Sequence, residues 1–76
     1  MKLTESVIKT TVNNLQSITT NIEIAKNSAG QNNVSMEYNT NYKVYTVKNN
    51  GVEYYATNRK KAIELYYREL YLIKTN

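Results

Sequence analysis

A chain of 76 residues with a formal charge of +4 sits near the small end of what folds alone, burying only about 60% of its unfolded surface. It has no cysteine and no histidine, and its six acids are all glutamate: Glu5, Glu23, Glu37, Glu53, Glu64 and Glu69. That excludes disulfide staples and thiolate or imidazole metal sites, and it leaves almost nothing for acid–base or nucleophilic catalysis, so the expectation is one non-enzymatic domain over residues 1–76 with no cofactor and no metal.

Leu3, Val7, Thr11, Leu15, Ile18, Ile22 and Ala25 step by three or four residues, which predicts one helix face over roughly residues 4–27. Thr4 is the expected N-cap, with Leu3 and Ile8 as a hydrophobic staple. The segment is rich in β-branched residues, however, and "SITTNIEIAK" alternates well enough to read as a strand, so residues 17–26 are open to either form. The heptad-like stripe on this segment reads as an intramolecular core contact or as a dimer seam, and homodimerisation through this helix or the last one is the expectation.

"NSAGQNN" is a break. "VSMEY" then reads as a short strand, "NTN" as a turn, and "YKVYTVKNNGVEYYAT" as a hairpin. Asn50-Gly51 between two β-rich runs suits a type I′ turn, which needs positive φ at both central residues. Taking those two as the loop sets Asn49 opposite Val52, Lys48 opposite Glu53, Val47 opposite Tyr54, Thr46 opposite Tyr55 and Tyr45 opposite Ala56. Lys48 and Glu53 are expected to pair across the strands. Tyr45, Val47, Val52, Tyr54 and Ala56 then form the core face, with Tyr42, Val44, Thr46, Lys48, Glu53 and Tyr55 on the other.

Thr57 or Asn58 caps a final helix running to about Ile73, with Ala62, Ile63, Tyr66, Leu70 and Ile73 on one face and Glu64 paired to Arg68 at i, i+4. Leu65, Tyr67, Tyr71 and Leu72 do not fit that face, which predicts cover on two sides. The elements together predict an α+β fold: an N-terminal helix, a small three-stranded antiparallel sheet with an Asn-Gly hairpin, and a C-terminal helix (αβββα).

Charge and aromatics are concentrated late in the chain. Residues 1–40 balance three lysines against three glutamates, whereas residues 41–76 carry seven cations and three glutamates, and all eight tyrosines fall between Tyr38 and Tyr71. Arg59, Lys60 and Lys61 open the last helix, although a helix N-terminus carries about +0.5 elementary charge and favours acids. An anionic partner would explain them; so would a solvated basic turn in which Lys60 and Lys61 pair with Glu64. The expected partner-binding residues are Tyr42, Lys48, Tyr55, Arg59, Lys60, Lys61, Tyr67, Arg68 and Tyr71, because tyrosine and arginine dominate binding hot spots. The competing structural reading is that these rings cover the far side of a thin domain that has neither Phe nor Trp.

The strand–turn–strand–helix of residues 42–73, with "NRKKAIELYYREL", resembles the arm-type DNA-binding domain of phage and transposon tyrosine integrases. That resemblance implies a small sheet laid in the major groove and backed by one helix. At the level of the whole chain, the length, the Asn/Lys/Tyr bias and the lack of catalytic residues are similar to small proteins of Gram-positive phages, among them anti-CRISPR and other anti-defence inhibitors. This second resemblance implies stoichiometric binding to a host nucleic-acid-handling protein such as a defence nuclease, in the cytoplasm of a bacterium. Three functions therefore compete: an inhibitor or adaptor meeting a protein with an acidic or phosphate-binding surface; a nucleic-acid binder touching phosphates through Lys43, Lys48, Arg59, Lys60, Lys61 and Arg68; and a structural dimer of a mobile element. No membrane partner is expected, since no apolar run approaches the length of a span.

Overall fold

The computed structural model describes residues 2–75. Its elements are α1 (Glu5–Leu15), β1 (Asn21–Ala29), β2 (Asn32–Asn39), β3 (Val44–Asn49), β4 (Val52–Ala56) and α2 (Arg59–Thr75). The fold is α+β, as the sequence predicts, but the antiparallel sheet has four strands in the order β1-β2-β3-β4 and not three.

The additional strand comes from the second half of the predicted first helix. Thr4 caps α1, its hydroxyl accepting the Val7 N–H at 3.2 Å. The helix stops at Leu15 because Ser17, Ile18, Thr19 and Thr20 follow, residues whose branching or hydroxyl groups compete with helical backbone. Thr19 Oγ1 instead donates to the Asn21 carbonyl at 3.2 Å. Ile18, expected on a helix stripe, is 76% exposed in the connection, so the predicted helical stripe does not continue beyond Leu15.

β1 then pairs with β2 from Asn21 opposite Asn39 to Ala29 opposite Asn32, with a bulge between Glu23 and Ala25. The bulge inserts one residue, Ile24, and shifts the alternation, so that Ile24 and Ala25, although adjacent, both pack against the core. It also bends an edge strand, a common guard against edge-to-edge pairing.

The β3–β4 register is the predicted one at all five positions, and Asn50 and Gly51 adopt φ of 50° and 89°, both positive as a type I′ turn demands. Two details differ. Lys48 stands opposite Glu53, yet its ammonium reaches diagonally to Glu37 on β2, with Nζ 3.5 Å from Oε2. Val52, expected in the core, is 55% exposed. It ends the row Val34–Asn49–Val52, in which cover falls from the centre of the sheet to its edge.

Both helices lie on one face of the sheet and touch each other. Ile22, Val34, Met36, Tyr45, Val47 and Ala56 face them from the strands, and Leu3 and Ile8 enter from the α1 side. α2 runs across all four strands and buries Ala62, Leu65, Tyr66, Glu69, Leu70 and Ile73. Leu65 thus joins the core face from which its spacing seemed to exclude it, while Ile63 is half-buried. The predicted Glu64–Arg68 pair is absent: Glu64 meets Lys61 at 3.9 Å, and Arg68 Nε binds Glu69 Oε2 at 2.9 Å. The molecule measures 38 × 22 × 19 Å, two layers deep, which leaves the other face of the sheet without a covering element among the described residues.

Candidate interaction surface

The turn between β2 and β3, residues 40–43, is built by Asn39. Its Oδ1 accepts the N–H groups of Asn41 and Tyr42, both at 2.9 Å, while its Nδ2 donates to Asn21 Oδ1 at 2.9 Å. The Lys43 N–H closes the turn on the Asn39 carbonyl at 2.8 Å. This bracing holds Tyr42 up with 79% of its surface exposed. It also holds Lys43 at φ 55°, a left-handed conformation that costs an L-residue roughly 1–2 kcal/mol. A Lys43→Gly variant is therefore expected to gain about 0.5–1 kcal/mol, and each kcal/mol raises the melting temperature of a domain this size by about 4–8 °C. A thermal melt showing no gain would mean the strain is relieved elsewhere.

Beside this turn, the start of α2 makes a cleft of about 390 Å³ lined by Glu5, Tyr38, Lys43, Tyr45, Thr57, Asn58, Arg59 and Lys60. Asn58 caps the helix, its Oδ1 accepting the Lys61 N–H at 2.8 Å. The three cations have three different environments. Arg59 packs inward beside Tyr45, and its Nε lies 3.7 Å from Glu5 Oε1. Lys61 meets Glu64 at 3.9 Å, a long and exposed pair worth a few tenths of a kcal/mol. Lys60 has no ion pair among the described residues, and neither has Lys43. Arg59 thus lies between the first turn of α1 and Tyr45 with 42% of its side chain still exposed, while Lys43 and Lys60 are the cations at this end without an ion pair among the described residues.

Tyr45 contacts Tyr38 with ring centroids 4.5 Å apart. Burial, and then the neighbouring Tyr38, push its hydroxyl above the ordinary tyrosine value, although Arg59 pulls the other way. Tyr66, edge-on to Tyr67 at 5.5 Å, is raised by burial and then by Tyr67. Both side chains hold their protons more tightly folded than unfolded. Their contribution is complete below the free value of 10.0 and is lost as pH rises through the folded values. Urea melts from neutral pH upward should show stability falling from about pH 10, less steeply in Tyr66→Phe; equal slopes would contradict this assignment.

The uncovered sheet face adjoins the same turn. Asn21, Glu37, Asn39, Tyr42, Val44, Thr46, Lys48, Glu53 and Tyr55 line a shallow concavity of about 450 Å³. Tyr55 is 63% exposed there. The register puts Glu23 directly opposite Glu37 on this face and aligns Lys26, Ser35, Lys48 and Glu53 in the next row. Three glutamates thus face outward with two lysines, so the sheet's open side is not basic.

Of the residues singled out from sequence, Tyr42, Lys48 and Tyr55 share the open face, with Arg59, Lys60 and Lys61 around the adjoining end. Tyr67, Arg68 and Tyr71 lie elsewhere. The Tyr67 hydroxyl accepts the Leu3 N–H at 2.7 Å and its ring packs on the core, which makes it an anchor for α1. The Arg68 guanidinium lies 4.9 Å from the Tyr54 ring centroid while bonded to Glu69. Tyr71 is exposed on the outer side of α2. Sequence reasoning overlooked Glu5 as the partner of Arg59, since nothing local marks a contact between the two helix starts. The turn was read from "NTN", but not that the side chain of its first residue, Asn39, braces it. Among the described residues no group of acidic side chains could hold a metal ion, and no helix is long and apolar enough to cross a membrane. Comparisons with protein families, curated proteins and solved structures find no match to this chain.

Proposed function

We propose that the protein is a non-enzymatic binding protein, acting stoichiometrically as an inhibitor or adaptor of a nucleic-acid-handling protein such as a CRISPR-Cas or other defence nuclease. Its contact surface is the end formed by the β2–β3 turn and the start of α2, continued onto the open face by Tyr55 and Lys48. The observation that carries this reading is Tyr42: a large ring, 79% exposed, on a turn fixed by three side-chain hydrogen bonds from one asparagine. An exposed aromatic on a backbone fixed before binding leaves only its own side-chain rotamers to be ordered on contact, which suits a hot spot. Lys43 and Lys60 beside it favour an acidic or phosphate-binding patch on the partner.

Direct DNA binding of the integrase-arm kind is the second reading, supported by the pI near 9.4. It is the weaker one because such a module presents its sheet to the groove, and this sheet carries Glu23, Glu37 and Glu53 on its open side. Phosphates would repel that face.

The test pairs wild type with a Tyr42→Ala/Lys60→Glu variant, two exposed positions whose change should leave the melting temperature alone. Capture from bacterial lysate should yield a partner retained stoichiometrically by wild type and lost by the variant. Retention by both would remove this surface from the proposal. A low-salt gel shift of duplex DNA that disappears as salt is raised would favour the second reading instead.

A further inference from the structure

We propose that Asn50 is a site of spontaneous covalent modification, deamidation through its own backbone, and that an asparagine clasp between two turns sets its rate. The chemistry requires an asparagine followed by an unhindered backbone nitrogen, and Gly51 supplies one: nothing lies within 4 Å of where a Cβ on it would sit. The Gly51 nitrogen gives up its proton to solvent base and attacks Asn50 Cγ. The Cγ–Nδ2 bond breaks, ammonia leaves, and a five-membered succinimide joins side chain to main chain. Water then opens the ring at the side-chain carbonyl to give aspartate, or at the main-chain carbonyl to give isoaspartate. Either product carries one more carboxylate, so the formal charge falls by one from +4. Solvent water is the only co-reactant.

What opposes the attack is the way the carboxamide is held. Asn50 Oδ1 accepts the Asn33 N–H at 2.9 Å, and Asn50 Nδ2 donates to Asn32 Oδ1 at 2.7 Å. The Asn50 N–H in turn donates to the Asn33 carbonyl at 3.1 Å. Both ends of the amide are therefore engaged by the start of β2, and Cγ cannot swing toward the following nitrogen until two hydrogen bonds open together. Asn50 is solvent-exposed, so base and water have access once it is released. The products differ in consequence. Aspartate keeps the acceptor for Asn33 but loses the donation to Asn32. Isoaspartate routes the main chain through the side-chain carbons, lengthening a two-residue turn whose register aligns Asn49 with Val52. That shift would strain the bond from Asn49 Nδ2 to Glu69 Oε1 and loosen the hairpin from α2.

The experiment incubates the purified full chain at mildly alkaline pH and follows conversion by intact mass, peptide mapping at residue 50 and isoaspartate quantification. The native protein should convert at Asn50 at least about tenfold more slowly than the same chain in urea, because two intramolecular hydrogen bonds protect it. Asn32→Ala, which removes one clasp at an element end, should convert several-fold faster than wild type while its melting temperature stays within a few degrees. Equal rates for native and urea-unfolded protein would overturn the proposal, as would equal native rates for wild type and Asn32→Ala or conversion mapping to other asparagines. If Asn32→Ala does not fold, a wild-type series in sub-denaturing urea replaces it. Conversion that rises before global unfolding supports gating by local opening; conversion that tracks global unfolding alone refutes it.

Discussion

Tyr66→Ala is expected to cost about 3–5 kcal/mol, the usual penalty for deleting a buried aromatic, and to remove a large part of the domain's stability at ambient temperature. The ring sits in the middle of α2, only 5% exposed, where the helix crosses the sheet, and it stacks edge-on against Tyr67. Tyr67 in turn anchors α1 through the Leu3 N–H. Removing Tyr66 therefore opens a cavity at the junction of α1, α2 and β1 as well as losing its own burial. A domain this small has a total stability of only about 4–11 kcal/mol on a per-residue basis, so one such loss consumes much of it. Circular dichroism and a urea melt are sufficient to read the effect. A cooperative transition within 1 kcal/mol of wild type would show that the α2 core face has been misassigned.

The second large effect is expected at Glu69, a carboxylate 3% exposed in a helix packed on a sheet. Both oxygens are used: Oε1 accepts from Asn49 Nδ2 at 3.0 Å and Oε2 from Arg68 Nε at 2.9 Å. Glu69→Ala leaves the Asn49 amide without its acceptor and frees the guanidinium over Tyr54. The expected loss is about 2–3 kcal/mol, below the range for a fully buried ion pair because Arg68 is half exposed and can rehydrate. Glu69→Gln keeps an acceptor for Asn49 but turns an N–H group toward Arg68 Nε, so it loses the charge and the bond to the half-exposed guanidinium, and its cost should be about 1–1.5 kcal/mol. Paired urea melts should rank wild type above Gln and Gln above Ala. If Ala matched wild type, the link from helix to hairpin would contribute nothing.

What could be read from the sequence follows the range of the interactions involved. The β3–β4 register was legible because Asn50-Gly51 encodes positive φ locally, and the caps Thr4 and Asn58 because a side chain bonds a backbone group three residues on. The β1 strand was legible only as one of two readings of residues 17–26. Its alternation is visible in "SITTNIEIAK", but the bulge between Glu23 and Ala25 interrupts it, and the spacing of Ile18, Ile22 and Ala25 also fits a helix. Glu69 was invisible for a different reason. A buried carboxylate is specified by Asn49, 20 positions away, and by the sheet that brings them together. The candidate surface divides in the same way. Tyr42 and Tyr55 were recognisable as surplus aromatics, whereas the inward turn of Arg59 depends on Glu5 in another element.

The strand order has a consequence for how the chain assembles. Every strand pairs with its immediate neighbour in sequence, so the sheet can zip up through short loops in succession. The first helix packs on β1, its neighbour in the chain, but is also tied to the far end of the sequence. Its anchor to Tyr67 spans 64 positions, and that partner is in place only once the last helix has settled on the strands. That long-range tie is expected to close after the local strand pairs, and contacts that form after the rate-limiting step govern how readily the opening segment detaches rather than how quickly the protein forms.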